Sequence, residues 1–211
     1  ANWERYHPAS FEILHTRSRV QSNDAVFTSA LQNATGVWIS GGNQRRLAQV
    51  YSNTRLAQEL IGLLQRGGVV GGTSAGAAIQ SQVMIAGGKI KPKLLQGVDL
   101  LPDSIVEQHF ITRNKERRLR ETLNLHPRRF GIGIDEQTAA VVNGRTIEVL
   151  GESTVSILFA ENAQGETRTL VLKSGDKADL TALRRQARET QQPSFPPDDV
   201  GIPSIKSGTL F

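Results

Sequence analysis

The sequence has no cysteine, one methionine and only 5% aromatic residues in 211 positions. The missing cysteine excludes disulfides, thiolate catalysis and cysteine-ligated zinc. No stretch approaches the ~20 consecutive apolar residues that a membrane-spanning helix requires, so no membrane partner is expected. Few aromatics and no recognisable nucleic-acid motif leave little for base stacking. The net charge of +5, from 25 Lys+Arg against 20 Asp+Glu, is scattered along the chain. It reads as a solvated basic surface, with some arginines free to line a site for an acidic substrate, and no nucleic-acid partner is expected. No signal peptide is visible and a cytoplasmic location is favoured, although the start Ala-Asn-Trp lacks methionine and suggests a processed or truncated N-terminus.

What is present suffices for one domain with a sizeable core, since 38% of residues are hydrophobic. Residues 1–190 read as a single α/β domain and residues 191–211, with Pro193, Pro196, Pro197 and Pro203, as a proline-rich tail. Strands are expected at 11–15, 36–40, 69–70, 105–111, 131–135, 138–142, 146–150, 155–159 and 167–173, the last being the final one. Helices are expected at 24–33, 44–51, 54–65, 114–125 and 179–189, and residues 86–103 as a loop. Asn143-Gly144 marks a hairpin turn. Alternating strands and helices imply a mostly parallel sheet with helices on both faces.

Residues 68–80, Gly-Val-Val-Gly-Gly-Thr-Ser-Ala-Gly-Ala-Ala-Ile-Gln, carry the chemistry. Gly72, Ser74 and Gly76 form G-x-S-x-G between an apolar strand and an alanine-rich helix, the spacing of a nucleophile elbow. A Cβ two residues to either side of the serine would clash in so tight a turn. A serine nucleophile needs a base and a group that orients the base. Of His7, His15, His109 and His126, His109 lies in an apolar strand near its carboxyl end, where open α/β sheets bind ligands. The orienting acid is Asp135 or Glu136, which adjacent extended residues would point to opposite sides. The order serine, histidine, acid argues against the α/β-hydrolases, where the acid precedes the histidine. The Ala75 N–H is one oxyanion donor and a Gly42 or Asn43 N–H the other. Gln44, Thr73, Gln108, Arg113 and Arg118 are candidates to hold substrate. Even spacing from His109 along a regular strand would put Arg113 on the catalytic face. No metal and no cofactor is required.

Four segments together resemble the cyanophycinase family of serine peptidases: Gly41-Gly42-Asn43-Gln44, Gly71–Ala77, Glu107-Gln108-His109-Phe110 with Arg113, and Gly131–Glu136. The resemblance spans residues 5–175. It implies a flavodoxin-like core related to class I glutamine amidotransferases. It also implies a triad of Ser74, His109 and Glu136. The implied substrate is cyanophycin, a poly-aspartate with arginine on each side-chain carboxyl, released as β-Asp-Arg dipeptides. Asn43 and Glu107 stand where the family has aspartate, and Lys115 where it often has arginine. The family opens with further strand–helix units, so this chain is expected to begin within or after them, and to lack an inner strand. An aspartyl or isoaspartyl dipeptidase on the same scaffold is the alternative enzyme, and a non-catalytic peptide-binding relative the alternative class. A homodimer is compatible with either.

Overall fold

The computed structural model describes residues 3–88 and 91–190, so the proline-rich tail and Ala1 and Asn2 lie outside the described residues. After a 3-10 turn at Trp3–Tyr6, residues 11–15 form no strand. Phe11 and Ile13 stay exposed and only Leu14 packs onto the core, because no neighbouring strand pairs with the segment. The helix expected at 24–33 is two single turns, α1 (Ala25–Thr28) and α2 (Ala30–Asn33). Asp24 caps α1, its carboxylate accepting the Phe27 N–H at 2.7 Å. At the break, the Ser29 hydroxyl bonds back to the Val26 carbonyl, the local competition that makes serine a poor helix interior.

β1 (Gly36–Ile39) follows, then α3 (Gln44–Tyr51) and α4 (Arg55–Gln65). Leu56, Leu60 and Leu63 recur at helical spacing and are buried, as the periodicity predicts. β2 (Val69–Gly72) pairs in parallel with β1, Gly36 opposite Val69 and Ile39 opposite Gly72. α5 (Ala75–Ala78) is a single turn.

The segment read as a loop at 86–103 holds β4 (Lys93–Gln96) and the end of β3 (Val83–Gly87), which pair as a hairpin, while residues 97–103 form no helix or strand. Met84 and Ile85 are fully buried, and the glycine-rich and lysine-rich composition belongs mostly to the connection. β5 (Ser104–Gln108) is buried at every residue and stops before His109, short of the expected end at 111. α6 (Glu116–Leu125) connects it to β6 (Phe130–Ile134), parallel to β5 with Gln108 opposite Ile134.

The remaining strands are antiparallel. β7 (Thr138–Asn143) and β8 (Thr146–Gly151) form a hairpin whose two loop residues are Gly144 and Arg145, one position later than the dipeptide suggested. β9 (Val155–Leu158) pairs with β6 and β10 (Thr169–Leu172) with β9. A further strand, β11 (Lys177–Asp179), joins β8 before α7 (Leu180–Glu189). Asp179 caps α7 by accepting the Ala182 N–H at 2.8 Å.

The fold is α/β, but the sheet is only partly parallel. β1–β2 form one parallel ladder and β5–β6 another, the second continued by β9 and β10 in antiparallel pairing. β9 and β10 are joined without a crossover helix, and such a connection favours antiparallel pairing. Phe130, Ile132, Ile157 and Phe159 pack against Leu180 and Leu183 of α7. On the other side, Ile105 and Leu158 pack against Leu119 and Leu123 of α6. These layers hold the carboxyl ends of β2, β5 and β6 in one place.

Candidate active site

The elbow is dictated by close approach. A Cβ on Gly72 would lie 2.2 Å from the Gly76 carbonyl oxygen, and one on Gly76 would lie 1.9 Å from that of Ile39. Both distances are impossible, so only glycine allows the turn to fold onto the end of β1. The Thr73 N–H donates to the Ile39 carbonyl at 3.1 Å and ties the elbow there. Ser74 itself has φ 54° and ψ −114°, a backbone state a non-glycine residue holds only when its surroundings enforce it. The Ala75 N–H takes no backbone partner among the described residues and is free to donate. Because α5 is one turn, the dipole behind it is small.

Opposite the serine lies Gly41, which the sequence reading placed in the Gly41–Gln44 segment without a role of its own: a Cβ there would stand 3.3 Å from Ser74 Cβ. Gly42, at φ 137°, turns the chain into α3. The Asn43 side chain caps that helix, accepting the Arg46 N–H at 3.0 Å. Asparagine and aspartate cap equally well, so Asn43 preserves this turn.

His109 sits just past β5 at φ 54°, not within the strand. Its Nε2 lies 2.9 Å from Ser74 Oγ and its Nδ1 lies 2.5 Å from Glu136 Oε1. The histidine side chain is 15% exposed and that of Glu136 47%. Of the two adjacent acids, Glu136 meets the ring. Asp135 turns the other way and accepts the Ile111 and Thr112 N–H groups at 3.1 and 2.9 Å. The serine, the ring and the carboxylate form one unbroken hydrogen-bonded series. It can take a proton from Oγ and stabilise the resulting imidazolium.

The other expected residues divide. Thr73 is exposed beside the serine, its hydroxyl accepting from Trp38 Nε1 at 3.2 Å. Gln108 is buried, and its amide makes no hydrogen bond among the described residues. Gln44 is engaged elsewhere: its Nε2 donates to the Ile85 carbonyl at 2.8 Å and joins α3 to β3. Arg113 is exposed, but not through strand alternation. His109 begins a turn in which the Arg113 N–H donates to the His109 carbonyl at 3.0 Å.

Arg118 is not free for substrate. Its Nε and Nη2 donate to the two oxygens of Glu107 at 2.9 and 2.7 Å, and its Nη1 donates to the Gly88 carbonyl at 2.9 Å. Glu107 is completely buried beneath the end of β5. Burial pushes its carboxyl upward, and Arg118, then Lys115 and His109, pull against that shift. Lys115 is itself pushed down by burial and by the neighbouring Arg118 and Arg113, while Glu107 opposes the shift.

A cavity of about 280 Å³ lies beside β1, lined by Leu14, Leu56 and Leu60 and reaching the Gly41–Asn43 loop, but it includes none of Ser74, His109 and Glu136. Among the described residues, no three His, Asp or Glu side chains are grouped to hold a metal, and no helix is long and apolar enough to cross a membrane.

The chain is similar to known proteins. It is 35% identical over 199 residues to the cyanophycinase of Geminocystis herdmanii, covering 86% of this chain and 73% of that one. It is 40% identical over 157 residues to the cyanophycinase of Trichormus variabilis, covering 70% of this chain but only 52% of the relative, about half its length. Among solved structures, a peptidase from an acI-B1 actinobacterium superposes with a TM-score of 0.63 at 27% identity, covering 77% of this chain and 66% of that one. Peptidase family S51 matches residues 4–150, a span that holds Ser74, His109 and Glu136, and the chain belongs to that family.

Proposed function

We propose that the chain carries the active site of a serine peptidase that degrades cyanophycin to β-Asp-Arg dipeptides. The observation that carries the reading is the series Ser74 Oγ, His109 Nε2, His109 Nδ1 and Glu136 Oε1, with contacts of 2.9 and 2.5 Å. Its substrate assignment draws on the cyanophycinases at 35% and 40% identity.

In this reading His109 Nε2 takes the Ser74 proton as Oγ attacks the scissile carbonyl. The Glu136 carboxylate holds the imidazole by its other nitrogen and offsets the positive charge that forms there. The developing oxyanion points to the Ala75 N–H, with the backbone at Gly41, Gly42 or Asn43 as the second donor. The imidazolium passes its proton to the leaving amine, which departs as the acyl-enzyme forms. Water, deprotonated by His109, then releases the acyl group and restores the serine. Each step uses side chains, backbone and water alone.

Arg113 and Lys115 supply positive charge next to the histidine and suit the free carboxylates of the substrate's arginyl groups. Arg118 has no such role, being spent on Glu107. The test is dipeptide release from purified cyanophycin, run beside fluorophosphonate labelling of the protein. The expected result is β-Asp-Arg release by wild type, unaffected by a chelator, and loss of both release and labelling in Ser74→Ala. Release that survives Ser74→Ala overturns the mechanism. Labelling without release overturns the substrate.

A further inference from the structure

His109 reaches the serine from a left-handed backbone at the first residue of a turn. That turn holds itself together in part: the Arg113 N–H donates to the His109 carbonyl, the Asn114 N–H to Ile111 and the Lys115 N–H to Phe110, at 3.0, 2.9 and 2.8 Å. The Phe110 N–H donates to the Ile134 carbonyl at 3.2 Å, and its ring lies where a Cβ on Gly133 would be. Two N–H groups, those of Ile111 and Thr112, are left over. Both donate to one oxygen, Asp135 Oδ1. The other oxygen, Oδ2, accepts the Ser153 hydroxyl at 3.2 Å, which fixes the carboxylate from the far side. Burial pushes the Asp135 carboxyl upward, but hydrogen bonds from Thr112, the Glu136 N–H and Ser153 outweigh it and hold the carboxyl below its ordinary range.

We propose that Asp135 is a positioning residue: its carboxylate clamps the turn after His109 and thereby holds the backbone angle that aims the imidazole at Ser74. Adjacent acids thus divide the work on one histidine. Glu136 holds the ring and Asp135 holds the main chain that carries it. The inference rests on the triad reading above. The histidine cannot relax its φ without moving Ile111 and Thr112, and they cannot move without leaving Asp135 Oδ1.

Two measurements on the full chain separate the clamp from the triad. Hydrogen exchange at the Ile111 and Thr112 amides reads the clamp without catalysis. The rate of fluorophosphonate labelling, with kcat and KM on cyanophycin, reads its consequence. Asp135→Ala is expected to speed exchange at both amides, slow labelling and kcat by roughly 10²-fold through misplacement of the base, and leave KM unchanged. Asp135→Asn keeps an oxygen acceptor for both N–H groups and is expected to stay within about threefold of wild type, the size of one weakened hydrogen bond. Should Asp135→Ala not fold, Asp135→Ser, whose hydroxyl is too short to bridge the gap, replaces it. Unchanged exchange in the Ala or Ser variant overturns the clamp. Faster exchange with unchanged labelling overturns the positioning role while leaving the triad intact. A loss in Asp135→Asn equal to that in Asp135→Ala overturns the assignment to acceptor geometry. A wild type that does not label at Ser74 overturns the triad reading, and with it the positioning role, whatever the exchange shows.

Discussion

Glu107 and Glu136 lie near the ends of two neighbouring parallel strands, and each meets one nitrogen-bearing partner, yet they live in opposite surroundings. Glu107 is completely buried, and both its oxygens are taken by one guanidinium. Glu136 is about half exposed and meets one imidazole nitrogen. A charge in a dry, doubly bonded pair is fixed, because removing either partner strands the other in a medium that solvates it poorly. A carboxylate at the rim with one bond to a titratable ring can follow that ring as it gains and loses a proton. Burial, and not residue type, separates the acid locked to Arg118 from the acid that meets the histidine.

The comparison is sharpest where chemistry and stability come apart. Ser74→Ala should lower kcat by roughly 10⁶ if the triad acts as in serine proteases, with the melting temperature held. Glu136→Gln should lower kcat by about 10⁴, the cost of an imidazole held in the wrong tautomer. Its stability should stay within about 0.5 kcal/mol, as for an exposed surface change. A large loss of stability in Glu136→Gln would erase the contrast between the two acids.

Glu107→Ala should do the reverse and destabilise the fold by about 3–5 kcal/mol by leaving Arg118 buried without its partner. Urea unfolding would measure this, and the double change Glu107→Leu with Arg118→Met should recover much of the loss. If Glu107→Ala instead melts like wild type and loses only activity, Glu107 belongs with the chemistry.

Smaller effects sit at the exposed rim. Arg113→Ala should raise KM for the anionic polymer severalfold with kcat retained, and the change should shrink as salt rises, since exposed charges are screened. An unchanged KM would leave Arg113 to the surface. Smallest is a pH effect at Asp135, whose carboxyl is held below its ordinary value of 3.8. A depressed acid stabilises the folded state above its unfolded pKa, and that contribution fades as pH falls through the folded one. The difference in urea midpoint between wild type and Asp135→Ala should therefore be present at pH 5 and shrink on acidification below 3.8. A difference independent of pH would mean that the ionised carboxylate is not what holds the turn.

Much of the site was legible wherever the constraint is local. Gly72, Ser74 and Gly76 announce the elbow because the clash a Cβ on Gly72 would meet lies four residues on, at Gly76, and the helix caps at Asp24 and Asp179 bond groups three residues away. Strongly periodic helices such as α4 were legible for the same reason. The hairpin of β3 and β4 was not, since four- and five-residue strands carry little pattern and the glycine and lysine of their connection dominate the composition. Nor was the end of β5, where apolar residues continue through Phe110 and Ile111 while the backbone has already turned at His109. The partners of Arg118, Asp135 and Glu136 depend on chain segments 11, 24 and 27 residues apart, and no local rule reaches that far. The sequence by itself determined which residue types could form a nucleophile, a base and an acid, because the G-x-S-x-G spacing is written within one turn. Only the tertiary structure decided which arginine is buried, and it set Glu136, the acid the family resemblance implied, against the ring, because packing of β5, β6 and α6 sets where each side chain ends.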